Sequence, residues 1–485
     1  MPSTAAAPPA TNIKRIMPWL VAVALFMENL DATIVNTATP TIAASLQVEP
    51  LSLKGVLTSY TLALAVFIPV SGWLADRFGT KRVFIAAVAL FTLGSLLCGL
   101  ALNVPMLVAS RILQGIGGAM MTPVGRLALV RTFPRSEMIT AMNYVIIPAL
   151  IGPLVGPFVG GLIVHWLPWR VIFLINLPFG LVGLWLARRH MPDYRDEKSP
   201  PLDWPGFLLF GFGISFLCYA LEVLGENSLP LPVIAQLAAA GIVLLSVYGW
   251  HANRLPSPLL ALGLLKTRTF RISVLGGFVT RLGFGGMPFL LPLLYQIGLG
   301  YAPWQAGLLT MPQALGAIVM KLLSKPLLAR FGHRRILMVN TVALGLLIST
   351  FSLVGPGMPV ALILALSLSQ GFVASIQFTS MNSLVYADVS DADASKASSL
   401  SSTAQQLSLS FGVAFGSVVA AWFLAGVPTS DHPVFISALH HAFITIGALT
   451  VISTLSFVGL KNTDGISISN YRPITKTEVL TDKPA

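Results

Sequence analysis

Charged residues are scarce in this chain. Only 10% of its 485 residues are Asp, Glu, Lys or Arg, against about 25% in soluble globular proteins. A chain of this length with so few charges cannot cover a water-exposed surface. Its 55% hydrophobic residues and mean hydropathy of +0.80 indicate lipid as the solvent. The composition excludes an ordinary soluble protein and predicts an integral membrane protein.

Several functional signals are also missing from the sequence. Cys98 and Cys218 both lie in apolar runs, and the seven His show no ligand spacing, so we expect neither a disulfide framework nor a metal site. Neither a nucleotide-binding loop nor a nucleophile–base constellation is present, which argues against ATP-driven transport by this chain alone and against an enzyme. The sequence around the first apolar run shows neither an early charged region nor a convincing cleavage site. This run is therefore predicted to be a membrane span rather than a removable signal peptide.

Long apolar runs dominate what remains. A spanning helix needs roughly 20 mostly apolar residues, and cutting the runs at Gly, Pro and Asn clusters gives fourteen such segments. The first is predicted near residues 16–39 and the last near 438–460. The predicted fold class is therefore all-α, with fourteen transmembrane helices.

Lys and Arg are concentrated in every second predicted loop. The net charge of +12 could suggest nucleic acid in a soluble protein, but here it is better explained by the positive-inside rule. If the N-terminus is cytoplasmic, 26 of the 30 Lys and Arg fall on cytoplasmic segments or the adjoining ends of spans. An even span count keeps this pattern, so both termini are predicted to be cytoplasmic and no nucleic-acid partner is expected.

An internal repeat divides the chain. Arg77-Phe78-Gly79 follows the second predicted span, and Arg330-Phe331-Gly332 follows the tenth. Repeated halves with a site at their interface are typical of transporters. The predicted units are a cytoplasmic N-terminal tail (1–15), a six-helix bundle (16–190), a linker with an extra transmembrane hairpin (191–268), a second six-helix bundle (269–460) and a cytoplasmic tail (461–485), which we expect to be disordered.

The first and fourth predicted spans contain charged residues well inside their apolar runs. Glu28 and Asp31 are three residues apart and share one face of the first span. Burial favours a protonated carboxyl and a nearby cation favours the ionised form, so a balance of the two can load and release a proton near neutral pH. Arg111, in the fourth span, is the natural partner because its guanidinium stays charged. The alternatives are a structural ion pair for Asp31 and Arg111 and a solvated cavity-mouth position for Glu28.

Four segments resemble signatures of the major facilitator superfamily, in particular of its fourteen-span drug:proton antiporters and, among these, of enterobacterial multidrug exporters. They occur in the family's order, each on the predicted helix or loop, which makes the resemblance specific. The four segments are Leu30–Pro40, Gly72–Arg82, Arg111–Gly118 and Gly152–Gly161.

The resemblance implies roles for these motifs. It assigns proton coupling to Asp31, with Arg111 as its partner. It implies a conformational latch at the loop after the second span, formed by Gly72, Asp76, Arg77, Gly79 and Arg82. It implies a hinge or seal against the other half on the fifth span, formed by the antiporter helix motif Gly152, Gly156, Pro157, Gly160 and Gly161.

Polar residues inside other spans are candidates for the substrate cavity. They are Asn36, Gln114, Asn143, Arg281 and Gln377. Many polar residues in spans instead form hydrogen bonds between helices. Arg281 could face the cavity and contact an anionic or zwitterionic substrate, or it could extend to the cytoplasmic face.

The sequence thus predicts a secondary transporter in a bacterial inner membrane. It would export drug-like or amphipathic small molecules in exchange for protons by alternating access. The expected partners are a small-molecule substrate and membrane lipid, the expected state is a monomer, and no cofactor other than the coupling proton is expected. The alternatives are a coupled or facilitated transporter of a specific metabolite and a membrane receptor that transports nothing.

Overall fold

The computed structural model describes residues 11–196, 201–224, 229–390 and 393–469, and the regular structure in these ranges is helical. The α-helices are α1 (Thr11–Leu46), α2 (Lys54–Phe78), α3 (Thr80–Gly99), α4 (Val104–Thr132), α5 (Arg135–Trp166), α6 (Val171–Leu174), α7 (Asn176–His190), α8 (Trp204–Leu224), α9 (Leu231–Ala252), α10 (Arg268–Gly285), α11 (Met287–Pro292), α12 (Pro303–Thr350), α13 (Val360–Leu384), α14 (Ala394–Leu424), α15 (His432–Ile452) and α16 (Ile466–Ser469).

The helices account for fourteen membrane crossings. Thirteen stretches of the described residues are long and apolar enough to span a membrane. One of them, Pro303–Leu353, has 51 residues, whereas a single crossing takes about 17–25. It is broken at Gly332, whose φ of 71° is not helical. Counting it as two spans gives the predicted fourteen.

The internal repeat is visible in the backbone. Gly332 and Gly79 both have positive φ, 71° and 98°, which glycine adopts readily because it has no Cβ. Each turns the chain from one span directly into the next. The two copies of the Arg-Phe-Gly motif thus make the same turn in the two halves of the molecule, which comprise α1–α7 and α10–α15.

The two halves meet on one side of the membrane. Thr11 and Ser469, the first and last described residues, lie on one side, which we call the termini side; the other is the far side. On the far side α5 packs against α12, where a Cβ on Gly161 would lie 2.8 Å from the Cα of Trp304. Gln296, after α11, donates a hydrogen bond to the carbonyl oxygen of Thr37 in α1 at 2.8 Å. The far side is therefore closed by direct contact between the halves.

On the termini side the corresponding surfaces are open. Gly72, near that end of α2, is exposed, and a Cβ built on it has no neighbour within 4 Å. Pro303 and Gly307 of α12 pack against α5. Lys321 and Lys325 come 18 residues later, which is five full helical turns, so these two lysines lie on the same face of α12. Both lysines are exposed. A cleft between the halves therefore opens to the termini side.

The extra hairpin, α8 and α9, packs where the halves meet. The Cys218 thiol of α8 and the Ser410 hydroxyl of α14 lie 3.5 Å apart. Ser410 also donates to the carbonyl oxygen of Thr58 in α2 at 3.1 Å, and the Thr58 hydroxyl donates to Glu222 of α8 at 3.3 Å. The hairpin thus covers the seam between α2 and α14 on its outer face.

The segment after the last span is ordered in part. Arg268 forms an ion pair with Asp464 at 2.5 Å, and Ser467 donates to the carbonyl oxygen of Ala387 at 3.2 Å. The expectation of a disordered tail is therefore wrong for residues 461–469, because these contacts hold them against the second half. Residues 470–485 lie outside the described part of the chain.

Candidate functional site

A buried ion pair occupies the interior of the first half. Asp31 of α1 is 0% exposed and Arg111 of α4 is 1% exposed. Arg111 Nη1 donates to Asp31 Oδ2 at 2.5 Å. Neither helix is interrupted at these residues, so both charges are held well inside a span, as the sequence predicts.

The remaining acceptor sites of Asp31 are also filled. The side-chain amides of Gln114 and Asn176 each donate to Asp31 Oδ1 at 2.8 Å. The same amides donate to the Ser95 hydroxyl at 2.6 and 3.1 Å. Gln114 is therefore part of the charge network and not of the cavity, which corrects its predicted position. Asp31 and its two amide donors thus join four spans, namely α1, α3, α4 and the α6–α7 span.

Arg111 is held by groups other than the carboxylate. Its Nε donates to the carbonyl oxygen of Val56 at 3.2 Å, and its Cζ lies 4.2 Å from the centroid of the Tyr60 ring. An aromatic face stabilises a guanidinium through the ring quadrupole. These contacts tie α4 to α2, so the pair connects to a helix that also forms the seam with the second half.

Glu28 lies between this buried network and the termini-side end of α1. It is half-buried and lies three residues before Asp31, about one turn closer to the termini side. The Thr122 hydroxyl of α4 donates to its carboxylate. Arg126, one turn further along α4, is exposed. Glu28 thus lies between a carboxylate closed to water and a surface open to it.

The other predicted cavity residues have different positions. Asn36 is half-buried in α1, and the side chain of Asn143 lies outside the described part of the structure. Gln377 is fully buried, donates to the Thr341 hydroxyl at 2.6 Å and accepts from Asn340 at 2.9 Å. Its assignment to the cavity is wrong, because these hydrogen bonds place it between α12 and α13. Arg281 of α10 is 6% exposed, so it does not extend to the membrane surface.

The predicted latch is an ion pair within the first half. Asp76 accepts from Arg131, at the end of α4, at 2.7 Å, and both side chains are about 30% exposed or less. The loop is further fixed because Thr80 N–H donates to the carbonyl oxygen of Tyr194 at 3.0 Å. Arg77 and Arg82 are exposed. The acid of this motif therefore pairs with Arg131 rather than with its neighbour Arg77.

The glycine motif of α5 has two separate contacts. A Cβ on Gly152 would lie 2.9 Å from the backbone nitrogen of Leu30, and Gly156 and Gly160 likewise face α1. The predicted contact of this stripe with the other half is therefore wrong, since the stripe packs inside the first half. Gly161 and Pro157 lie on the adjoining face and contact α12.

This fold and site define a class of protein. Two six-helix halves that meet on one side of the membrane, with a buried ion pair beside the cleft between them, are the design of a secondary transporter. The chain belongs to the Major Facilitator Superfamily, whose family model matches residues 21–413 and 274–473. It is a multi-pass membrane transporter and not an enzyme.

Curated relatives agree with the predicted branch of the family. The chain is 40% identical over 439 residues to "Putative multidrug resistance protein MdtD" of Serratia proteamaculans, covering 90% of this chain and 92% of that protein. It is 43% identical over 432 residues to the protein of the same name from Salmonella paratyphi A, covering 88% and 90%.

Solved structures share the fold at low sequence identity. A bacterial homologue of the human lysosomal transporter Spinster, inward-facing and unoccupied, aligns with a TM-score of 0.69 at 15% identity, covering 92% of this chain and 97% of that one. A D-xylose–proton symporter aligns with a TM-score of 0.62 at 14% identity, covering 92% and 98%.

Sequence reasoning missed several members of the site. Asn176 contacts Asp31, and Tyr60 contacts Arg111. Ser95 accepts from the amide of Gln114, and Thr122 donates to Glu28. Asn176 had a usable signal, because an amide inside a long apolar stretch needs a partner in lipid. Ser, Thr and Tyr are too frequent in spans to stand out.

Proposed function

We propose that this transporter exports drug-like, amphipathic small molecules in exchange for protons by alternating access. The observation that carries this proposal is the Asp31–Arg111 pair, fully buried and surrounded by amide donors. A structural pair alone could often be replaced by apolar packing at no loss of stability. A carboxylate that must be alternately charged and neutral needs such a compensating set of partners.

Protonation of Asp31 would be the coupling step. The ionised carboxylate accepts from Arg111, Gln114 and Asn176, which lie on two other spans. Adding a proton removes the charge that these donors stabilise and weakens the junction of α1 with them. A change in that junction biases the equilibrium between the two arrangements of the halves, because each arrangement binds the proton with a different affinity.

Glu28 would pass the proton between Asp31 and the cleft. It is one turn from Asp31 on the open side and held by Thr122. Replacing Glu28 with Gln should therefore slow proton release and change the pH dependence of transport, whereas replacing Asp31 with Asn should abolish coupling.

The orientation follows from charge. The termini side, where the cleft opens, carries most of the Lys and Arg, and the positive-inside rule assigns that side to the cytoplasm of a bacterial inner membrane. The described conformation would then face inward and accept substrate from the cytoplasm or the inner leaflet, as export requires.

The test uses purified protein in liposomes with an imposed pH gradient and a pH-sensitive dye inside. A panel of cationic, neutral and zwitterionic amphipathic compounds is added to the intact protein, to Asp31→Asn and to Asp393→Asn as a control at a partly exposed carboxylate of the second half. We expect compound-dependent proton movement with the intact protein and the control, and none with Asp31→Asn. Undiminished coupled movement with Asp31→Asn would contradict the assignment of Asp31. No movement with any compound in tight vesicles would contradict proton exchange.

A further inference from the structure

The second half contains a buried cation that has no counter-charge among the described residues. Arg281 is 6% exposed, and its Nη2 donates to the side-chain oxygen of Asn382 at 3.1 Å. Its Cζ lies 4.9 Å from the centroid of the Phe378 ring. Among the residues that the structure describes, no carboxylate forms an ion pair with it. A neutral amide and an aromatic face are therefore the partners of a full positive charge.

The sequence shows that no helix of this half can supply the missing charge. Between Glu226 and Asp388 there is no Asp or Glu at all, and none occurs in α14 or α15. The first half compensates its own buried guanidinium, Arg111, with Asp31 on a neighbouring span. Because an uncompensated charge within a membrane is costly, its presence indicates a function.

Arg281 borders the cleft through Asn382. Ser375 of α13 donates to the carbonyl oxygen of Ala317 in α12 at 2.7 Å, which fixes the face of α13 that meets α12. Asn382 follows Ser375 by two turns on this face and is exposed. The guanidinium of Arg281 reaches this exposed residue through its 3.1 Å hydrogen bond to the side-chain oxygen of Asn382.

Two further cations lie at the level of this amide. The contact between Ser375 and Ala317 sets the relative height of the parallel helices α12 and α13. From that contact, Lys321 and Lys325 lie about 6 and 12 Å further along α12, and Asn382 lies about 10 Å further along α13. Both lysines are exposed. The wall of the cleft formed by the second half is thus positive, whereas the first half contributes Glu28.

We propose that Arg281 and Asn382 form a subsite for an oxyanion, so that the transported compounds include amphipathic carboxylates. The guanidinium offers a planar pair of donors that matches a carboxylate, and Phe378 provides an apolar surface for the body of the ligand. The inference deepens the proposed function by naming a substrate class, and it rests on that function. The phosphate of an anionic lipid has the same chemistry and is the competing source of the oxyanion.

The test compares two forms of one probe. Dansyl-labelled undecanoic acid and its methyl ester share the same apolar body and differ in the anionic group. Binding of each to the purified full chain is measured by fluorescence in a neutral detergent, without added lipid. We expect Arg281→Gln to weaken binding of the acid by about tenfold and to leave binding of the ester unchanged. Arg281→Lys should retain part of the affinity for the acid.

Two controls separate recognition from folding. Arg271→Gln removes an exposed guanidinium from the same helix and should change neither affinity. Asn382→Asp keeps Arg281 but places a carboxylate beside it, and should weaken binding of the acid as Arg281→Gln does. Equal loss of acid and ester in Arg281→Gln, or undiminished acid binding in Asn382→Asp, would overturn the proposal.

The lipid alternative and the proposed function are tested separately. If Arg281 binds a lipid phosphate, Arg281→Gln will lose anionic lipid that co-purifies with the intact protein, while binding of the acid stays the same, and the substrate proposal is overturned. Probe binding needs no proton movement. If binding of the acid depends on Arg281 but the intact protein moves no protons, the proposed antiport fails and the subsite stands.

Discussion

Asn176 donates a hydrogen bond to Asp31 at 2.8 Å, although 145 positions separate the two residues in the chain. Asn176 is fully buried and is the first residue of α7. The contact joins the sixth span to the carboxylate of the first. The site therefore depends on a residue outside the family motifs.

Replacing Asn176 with Leu should disturb the site without removing either charge. Asp31 loses one of its donors, which costs about 1–3 kcal/mol of folding free energy when a buried acceptor is left short of partners. We expect a lower melting temperature in detergent and a loss of compound-dependent proton movement. Asn253→Ala, at the exposed end of α9, should change neither property. Normal coupling in Asn176→Leu would show that the amide is dispensable.

The ion pair between Asp76 and Arg131 should contribute little to stability. Both side chains are partly exposed, and such pairs contribute about 0–1 kcal/mol. We expect Asp76→Asn, Arg131→Gln and the double variant to melt within a few degrees of the intact protein. If the pair controls the conformation, however, all three should slow transport by the same factor. Additive losses in the double variant would indicate that each residue has its own role.

The contact of Gly161 with α12 closes the far side, and its lack of a side chain is required. A Cβ there would lie 2.8 Å from the Cα of Trp304, whereas one on Gly72 has open space around it. Gly161→Val should therefore separate the halves on the far side. Gly72→Val is the matched control, because it adds the same side chain at the open end of the seam and should leave the described conformation unchanged.

Cysteine labelling measures this separation. Asn36 of α1, in the far half of that helix, is replaced by Cys in a chain whose two native cysteines are changed to Ser. We expect a membrane-impermeant maleimide, added on the far side, to label this position faster in Gly161→Val than in Gly72→Val. Equal labelling rates would mean that the contact with α12 does not close the far side.

The carboxylate of Asp203 stabilises the termini-side end of the extra hairpin, and this stabilisation depends on pH. Burial alone would raise the pKa of its carboxyl, but hydrogen bonds from His251 and from the backbone N–H groups of Gly206 and Leu259 outweigh burial and hold it below the ordinary value. A carboxyl with a lowered pKa stabilises the fold above its unfolded pKa of about 3.9, and this stabilisation is lost as pH falls through the folded value.

Asp203→Asn should therefore destabilise the protein at neutral pH. The difference in melting temperature between the intact protein and this variant should shrink as the pH falls below about 4. His251→Gln removes one of the donors and should have a smaller effect of the same sign. A difference that stays constant across this range would show that ionisation of Asp203 does not stabilise the hairpin.

Much of the fold was predictable because membrane insertion depends on local composition. The fourteen crossings follow from apolar runs, and the turn at Gly332 follows from its likeness to the turn at Gly79. The burial of Asp31 and Arg111 was predictable for the same reason, since a charge in the middle of an apolar run of this length must lie inside the membrane.

The rotation of each helix about its axis was not predictable in this way. Gln114 and Gln377 are both polar residues in spans, and each could face a cavity or another helix. The structure turns Gln114 toward Asp31 and Gln377 toward Thr341. The glycine stripe of α5 likewise faces α1, while Gly161, one residue after Gly160, faces the other half. A helix turns by about 100° per residue, so neighbouring residues have different partners.

By itself, the sequence determined that this chain spans the membrane fourteen times in two related halves, that it belongs with secondary transporters, and that Asp31 and Arg111 are buried charges. These features follow from hydropathy, turn residues and short motifs, which are local properties of consecutive residues. The tertiary structure decided which charge is compensated. Asp31 is brought to Arg111 across 80 positions, while Arg281 is left with Asn382 and Phe378, because partners on different spans are set by how the helices pack.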